Sequence, residues 1–142
     1  MKLNIKNETG RLKSVVLGQP KSIGPVPTLE ESYDAKSYYS IENGIYPKEE
    51  DIIAEMTAFE KVLKKYDVEV FRPNIIKDYN QVFARDVAFV IEDKMIISNV
   101  IKDRADEQEA YRKIFEKVEW RKIINLPETA HIEGGDVIVW DD

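Results

Sequence analysis

Twice in this chain an aspartate opens an apolar run. The first run is Asp86-Val87-Ala88-Phe89-Val90-Ile91; the second, 50 residues on, is Asp136-Val137-Ile138-Val139-Trp140. Both are β-rich and both end in acidic residues. A repeat of that length points to an architecture built from like units. Val87 to Ile91 predicts a strand, Glu92 to Lys94 a turn, and Met95 to Val100 a returning strand. Ala105 to Lys117 predicts a helix with Ala110, Tyr111, Ile114 and Phe115 on its apolar side. Lys122 to Leu126 predicts the closing strand before Pro127, and Val137 to Trp140 a last one. Strand, strand, helix, strand is the order of an α/β fold.

The N-terminal part suits the same class. Lys13 to Leu17 predicts a strand closed by Gly18, Gln19 and Pro20. Lys21 to Gly44, rich in Pro, Ser and Tyr, has no clear period and reads as a long loop of the kind that is often functional. Within it and just beyond, Tyr38, Tyr39 and Tyr46 either line a lid or pack the loop onto the body. Pro47 to Tyr66 predicts a helix, with its apolar stripe at Ile52, Ile53, Met56, Phe59, Leu63 and Tyr66. Glu49, Glu50 and Asp51 load its start and Lys61, Lys64 and Lys65 its end, as the helix dipole favours. The acidic triplet is therefore a solvated helix start rather than a metal site. Val68 to Phe71 predicts a short strand stopped ahead of Pro73.

The chain of 142 residues has the length of one ordinary domain, and Met1 to Asp142 reads as part of a single one. The second apolar run, Val137 to Trp140, has no downstream hairpin partner in the sequence. An unpaired apolar edge is something soluble proteins avoid. The expectation is a fragment whose missing C-terminal half covers that edge, or a chain covered by a second copy in a homodimer.

Composition excludes several functions. Net charge is −6, whereas a nucleic-acid binder carries a basic face to neutralise phosphates. No apolar run approaches the roughly 20 residues of a membrane span, and no signal-peptide core precedes Lys13, so the expected location is the cytoplasm. There is no cysteine, hence no disulfide, no Cys-ligated zinc and no Cys nucleophile within these residues. The one histidine, His131, reads as a surface or turn residue and cannot build a His-rich metal site. No metal and no cofactor are expected.

Two stretches carry the chemistry. Asn80-Gln81-Val82-Phe83-Ala84-Arg85-Asp86 and His131-Ile132-Glu133-Gly134-Gly135-Asp136 each end where a loop enters a predicted strand. Ionised carboxylates only accept hydrogen bonds, and a guanidinium is planar, cationic and made of donors. Two carboxylates flanking it would fix its plane. Asp86, Glu133 and Asp136 would supply them if the units pack side by side. Phe83 could offer a ring face to the cation, and Asn80 could reach a polar end of the ligand. Bland roles compete. Asp86 and Asp136 could cap turns, Phe83 could be core, and Arg85 could pair with a local carboxylate.

The two stretches resemble those of the guanidine-modifying superfamily of arginine deiminases, dimethylarginine dimethylaminohydrolases and amidinotransferases. Asn80, Phe83, Arg85 and Asp86 are similar to the deiminase substrate loop, and Glu133 to Asp136 to the Glu-Gly-Gly-Asp motif. Lys13 to Pro20 resembles the family's first strand and turn. The resemblance implies a pentein-type propeller of five ββαβ units, of which Met1 to Asp142 would be about the first half. It implies that Asp86 grips a substrate guanidinium. It implies a catalytic role for Glu133, touching the guanidinium and supporting a histidine, with Asn80, Phe83 and Asp136 nearby. The implied substrate is a small guanidino compound such as arginine. The implied reaction breaks a C–N bond through a covalent Cys intermediate, with the Cys and the catalytic His lying outside this chain. Hydrolysis is the first expectation and amidino transfer the alternative. A non-catalytic binding module, or half of a two-chain assembly, remains a reading of another class, because fold alone does not establish catalysis.

Overall fold

The computed structural model describes residues 1–32, 34–100 and 102–140. It is a mixed α/β structure with two small sheets. In the first, β1 (Ser14–Val16) runs parallel to β2 (Glu69–Phe71), with Val15 opposite Val70. Parallel strands need a crossover, and here it carries two helices, α1 (Ala35–Glu42) and α2 (Glu49–Lys65). The sequence predicts only loop over the first of these. Asp34 caps α1 by accepting from the N–H groups of Lys36 and Ser37, each at 2.9 Å, an arrangement that satisfies donors a helix start leaves open. The helix buries none of its residues. A helix with no buried face leaves no apolar period in the sequence, which is why it reads as loop. Tyr38 and Tyr39 stand exposed on it, and Tyr46 is half-buried.

Helix α2 keeps its expected charge polarity but buries no residue fully. Ile52, Ile53, Met56 and Leu63 are half-buried, whereas Phe59 and Tyr66 are exposed. Arg72 ties the helix to the sheet. Its guanidinium donates to Glu60 Oε2 at 2.7 Å and 3.1 Å and to the backbone carbonyls of Met56 and Gly18.

The second sheet has the order β3-β4-β5. Strand β3 (Ala88–Ile91) pairs antiparallel with β4 (Lys94–Ile97) across the predicted turn, where Glu92 has φ of 50°. Strand β5 (Ile123–Asn125) lies parallel to β4. Between them the predicted helix is broken. A 3-10 turn (Lys102–Arg104) leads into two short helices, α4 (Glu107–Ala110) and α5 (Arg112–Phe115). Their buried side chains Ala110, Tyr111 and Ile114 form the main core with Val87, and Val16 and Phe71 of the first sheet pack on it. The second sheet packs on a separate cluster, Leu3, Met95 and Val118, with Ala88, Val90 and Ile123 against it, and Phe115 packs on both clusters.

The second copy of the repeat departs from expectation. Val137 to Trp140 forms no strand among the described residues; Gly134–Asp136 is a 3-10 turn, and the chain beyond it pairs with no strand. Ile138 is 79% and Trp140 82% exposed. A strand needs a neighbour to satisfy its N–H and C=O groups, and among the described residues no strand pairs with these. The acidic pair Asp141–Asp142 lies outside the described residues. No helix among the described residues is long and apolar enough to cross a membrane.

Candidate functional site

Residues 84–87 form one helical turn, α3 (Ala84–Val87), that delivers Asp86 to the mouth of β3. The preceding loop is held from two sides. Gln19 N–H donates to the Gln81 carbonyl at 2.9 Å, and the fully buried Gln81 side chain accepts from Ile76 N–H at 2.7 Å and donates to the Asn74 carbonyl at 3.1 Å. Asn80 spends its side-chain oxygen on the N–H of Val82, at 3.2 Å. Phe83 is exposed, with its ring outside the core.

The Gly134–Asp136 turn lies directly against α3. A Cβ on Gly134 would fall 2.0 Å from the Arg85 carbonyl oxygen, and one on Gly135 would fall 2.7 Å from Asp86 Oδ1. Only residues without side chains allow this approach, and it carries Glu133 to the side of Asp86. Arg85 secures the contact. Its Nε donates to the Gly134 carbonyl at 2.8 Å and its Nη2 to the Val137 carbonyl at 2.6 Å. Arg85 is held in turn by Glu8, at 2.7 Å and 3.2 Å, and Glu8 also accepts from Val139 N–H at 3.0 Å. Arg85 is therefore a clamp between loops, and the carboxylate it pairs with is not a local one but Glu8, far away in sequence.

Gly134→Ala is expected to lower stability by about 1–3 kcal/mol, the usual cost of forcing a methyl group into filled space. Chemical denaturation checks it; a variant as stable as the parent would mean that the turn does not rest on α3.

The Arg85 bond, and then the Val139 N–H, hold the Glu8 carboxyl below its ordinary value of 4.5. A lowered carboxylate contributes stability above its unfolded value and loses it as pH falls through its folded one. Acidification below 4.5 is thus expected to free residues 137–139 before the sheets open. Pulsed hydrogen exchange at Val139 reads this directly, and protection that persists unchanged into acid counts against the clamp.

At the centre of the site is a residue that neither sequence motif includes. Arg104, at the end of the Lys102–Arg104 turn, directs its guanidinium into three carboxylates. Nη1 lies 2.8 Å from Asp86 Oδ2 and 3.5 Å from Glu133 Oε2. Nε lies 2.6 Å from Glu107 Oε1, and Nη2 3.1 Å from Glu107 Oε2. Nη2 also donates to the Phe83 carbonyl at 3.4 Å. The Glu107 side chain has no exposure and that of Arg104 14%, whereas Asp86 and Glu133 retain 20% and 28%. Burial pushes the Glu107 carboxyl up, with Arg104 opposing it. Burial alone would push Arg104 down, but its hydrogen bonds to Glu107 and Asp86 outweigh that and hold it firmly charged. The buried Tyr111 hydroxyl meets no hydrogen-bond partner among the described residues, and burial followed by the Glu107 charge raises its pKa.

The structure therefore gathers Asp86 and Glu133 on one guanidinium and adds Glu107. Asp136 is exposed, and its N–H closes the turn on the Glu133 carbonyl at 3.0 Å. His131 is exposed two residues before Glu133. No cluster of potential metal ligands occurs among the described residues.

Comparison with known proteins supplies a frame for this geometry. No family model matches the chain. It is 27% identical over 138 residues to the uncharacterized protein YkgA of Bacillus subtilis (strain 168), covering 96% of this chain and 46% of that protein. Two solved structures match its fold. SxtG, an amidinotransferase from Microseira wollei in the saxitoxin biosynthetic pathway, superposes with a TM-score of 0.63 at 19% identity, over 88% of this chain and 42% of that one. The inosamine-phosphate amidinotransferase StrB1 of Streptomyces griseus superposes with a TM-score of 0.60 at 15% identity, over 90% of this chain and 44% of that one. The chain thus spans less than half the length of each, and over that part its fold is similar to that of the two amidinotransferases.

Proposed function

We propose that this chain supplies the guanidinium-gripping side of an active site that breaks a C–N bond of a small guanidino compound such as arginine. The observation that carries the reading is the convergence of Asp86, Glu107 and Glu133, from three separate segments, on the single guanidinium of Arg104. A site that binds one guanidinium by carboxylate geometry is chemically suited to another.

In this reading the chain forms part of a pentein-type propeller working in the cytoplasm. Asp86 and Glu133 hold the substrate guanidinium in plane. Because the chain has no cysteine, the nucleophile comes from outside Met1–Asp142, with the catalytic histidine. A thiolate would add to the guanidinium carbon. The C–N bond to the leaving amine would then break as that nitrogen takes a proton from the histidine, leaving a thiouronium. Water or an acceptor amine would displace the sulfur and regenerate the thiolate. The carboxylates hold the cationic carbon plane throughout, and Glu133 would also orient the histidine. No nucleic acid or membrane takes part.

Hydrolysis follows from the likeness of the Glu-Gly-Gly-Asp stretch to the hydrolases. Amidino transfer is favoured by a different observation, that both solved structures of like fold are amidinotransferases. Arginine labelled with carbon-13 at its guanidino carbon, given to protein purified with its native partners, separates the two. Ammonia or amine release without an added acceptor marks hydrolysis, and label moving only to an added primary amine marks transfer. Guanidinium binding with no turnover would leave a binding module. Absence of binding to this face would remove the proposal.

A further inference from the structure

The carboxylates that would take a guanidino ligand already hold one. All three nitrogens of the Arg104 guanidinium are engaged, and the engagement is uneven. The Nε–Nη2 edge forms a two-point fork on the fully buried Glu107, at 2.6 Å and 3.1 Å. The contacts to Asp86 and Glu133 rest on Nη1 alone, at 2.8 Å and 3.5 Å, and lie on the more exposed side of the cluster. One edge is an anchor and the other a single nitrogen shared by two acceptors.

From this unevenness we infer that Arg104 is a tethered competitor for the guanidinium site: it stays hooked to Glu107 and must withdraw Nη1 from Asp86 and Glu133 before a guanidino ligand can take those two carboxylates. The inference rests on the functional reading above and adds to it a built-in occupant. Its chemical basis is identity of species. Free methylguanidinium offers the same planar donors as the end of Arg104 and seeks the same lone pairs. The charge balance favours the exchange. Three carboxylates against one guanidinium leave the ionised cluster negative, so an incoming cation is drawn in while Arg104 remains.

Competition of this kind has a definite signature. A ligand that binds only when the occupant is away has its affinity reduced by the fraction of time the site is open. Removing the occupant should therefore tighten binding. The variants are Arg104→Met alone and the pair Arg104→Met/Glu107→Leu, which removes the anchor together with the competitor and so leaves no buried lone charge. Calorimetric titration with methylguanidinium, against ammonium at equal ionic strength, is the measurement. The paired variant is expected to bind methylguanidinium at least about tenfold more tightly than the parent. Adding Asp86→Asn should abolish the gain, and ammonium should show none.

A second readout needs no substitution. In the parent chain, the nitrogen-15 signal of Arg104 Nη1 should lose protection as methylguanidinium saturates, while Nε and Nη2, held by Glu107, keep theirs. Binding by the parent that is unchanged or weakened in the paired variant, or an Arg104 Nη1 signal that stays protected at saturation, overturns the competitor role while leaving guanidinium recognition standing. Failure of every form to prefer methylguanidinium to ammonium overturns both.

Discussion

Arg104→Ala is expected to lower the stability of the fold by about 3–5 kcal/mol, the loss usual when one partner of a buried ion pair is removed. The reason is Glu107. Its side chain has no exposure and is bonded to both nitrogens of the Nε–Nη2 edge of Arg104. Without Arg104, an ionised carboxylate would remain inside the core beside Ala110, Tyr111 and Ile114, with Asp86 and Glu133 adding repulsion. The paired change Arg104→Met/Glu107→Leu should cost far less, because neither charge is left unpaired and both replacements fill similar volume. Urea denaturation of parent, single and paired variants measures the difference. A single variant within about 1 kcal/mol of the parent would show that the pair is not buried in solution.

The pH dependence of that loss carries a sign. Burial already raises the Glu107 carboxyl, and Arg104 opposes the rise. Without Arg104 the folded value climbs further. A raised carboxylate favours the folded state fully below its unfolded value and loses that contribution as pH rises through the folded value. The deficit of Arg104→Ala should therefore be largest at neutral pH and shrink towards 4.5, the ordinary value for glutamate.

The sequence shows Glu107 more clearly than it shows Arg104. Glu107 precedes Ala110, Tyr111 and Ile114 at helical spacing, so it is a charge on an otherwise apolar stripe. A charge in that place is either a mistake of register or a paired buried group, and three residues earlier stands an arginine. Arg104 and Glu107, three residues apart, are thus a local signal in the sequence. Glu8 was not legible, because nothing in the sequence joins it to Arg85, 77 positions away. Asp86 and Glu133 were legible because each sits where a motif meets a loop end. The glycines that press the two loops together are also visible as a pair, although only the structure shows that the approach is to the Arg85 carbonyl. The strand expected over Val137 to Trp140 fails for the converse reason. Alternation and β-propensity describe a surface that needs a neighbour, and among the described residues no strand lies beside it.

Asp86→Asn, in an assembly that supplies the cysteine, is expected to reduce kcat/KM for a guanidino substrate by roughly a hundred- to a thousandfold, the scale seen when one aligned electrostatic contact to a reacting group is lost. The substitution keeps a carbonyl oxygen for Arg104 Nη1, now 2.8 Å from Asp86 Oδ2, so the fold should survive. What changes is charge: an amide cannot balance the guanidinium plane, and it presents N–H donors where the ligand also presents donors. The loss should therefore appear in substrate binding and in turnover together, with the unfolding midpoint nearly unmoved. Glu133→Gln tests the second carboxylate. If Glu133 also orients the general acid, its variant should distort the pH–rate profile, whereas Asp86→Asn should only lower it. Turnover that survives Asp86→Asn would leave Asp86 as the capped turn residue and Arg104 partner of the bland reading. Turnover lost only in proportion to stability would leave it with the same role.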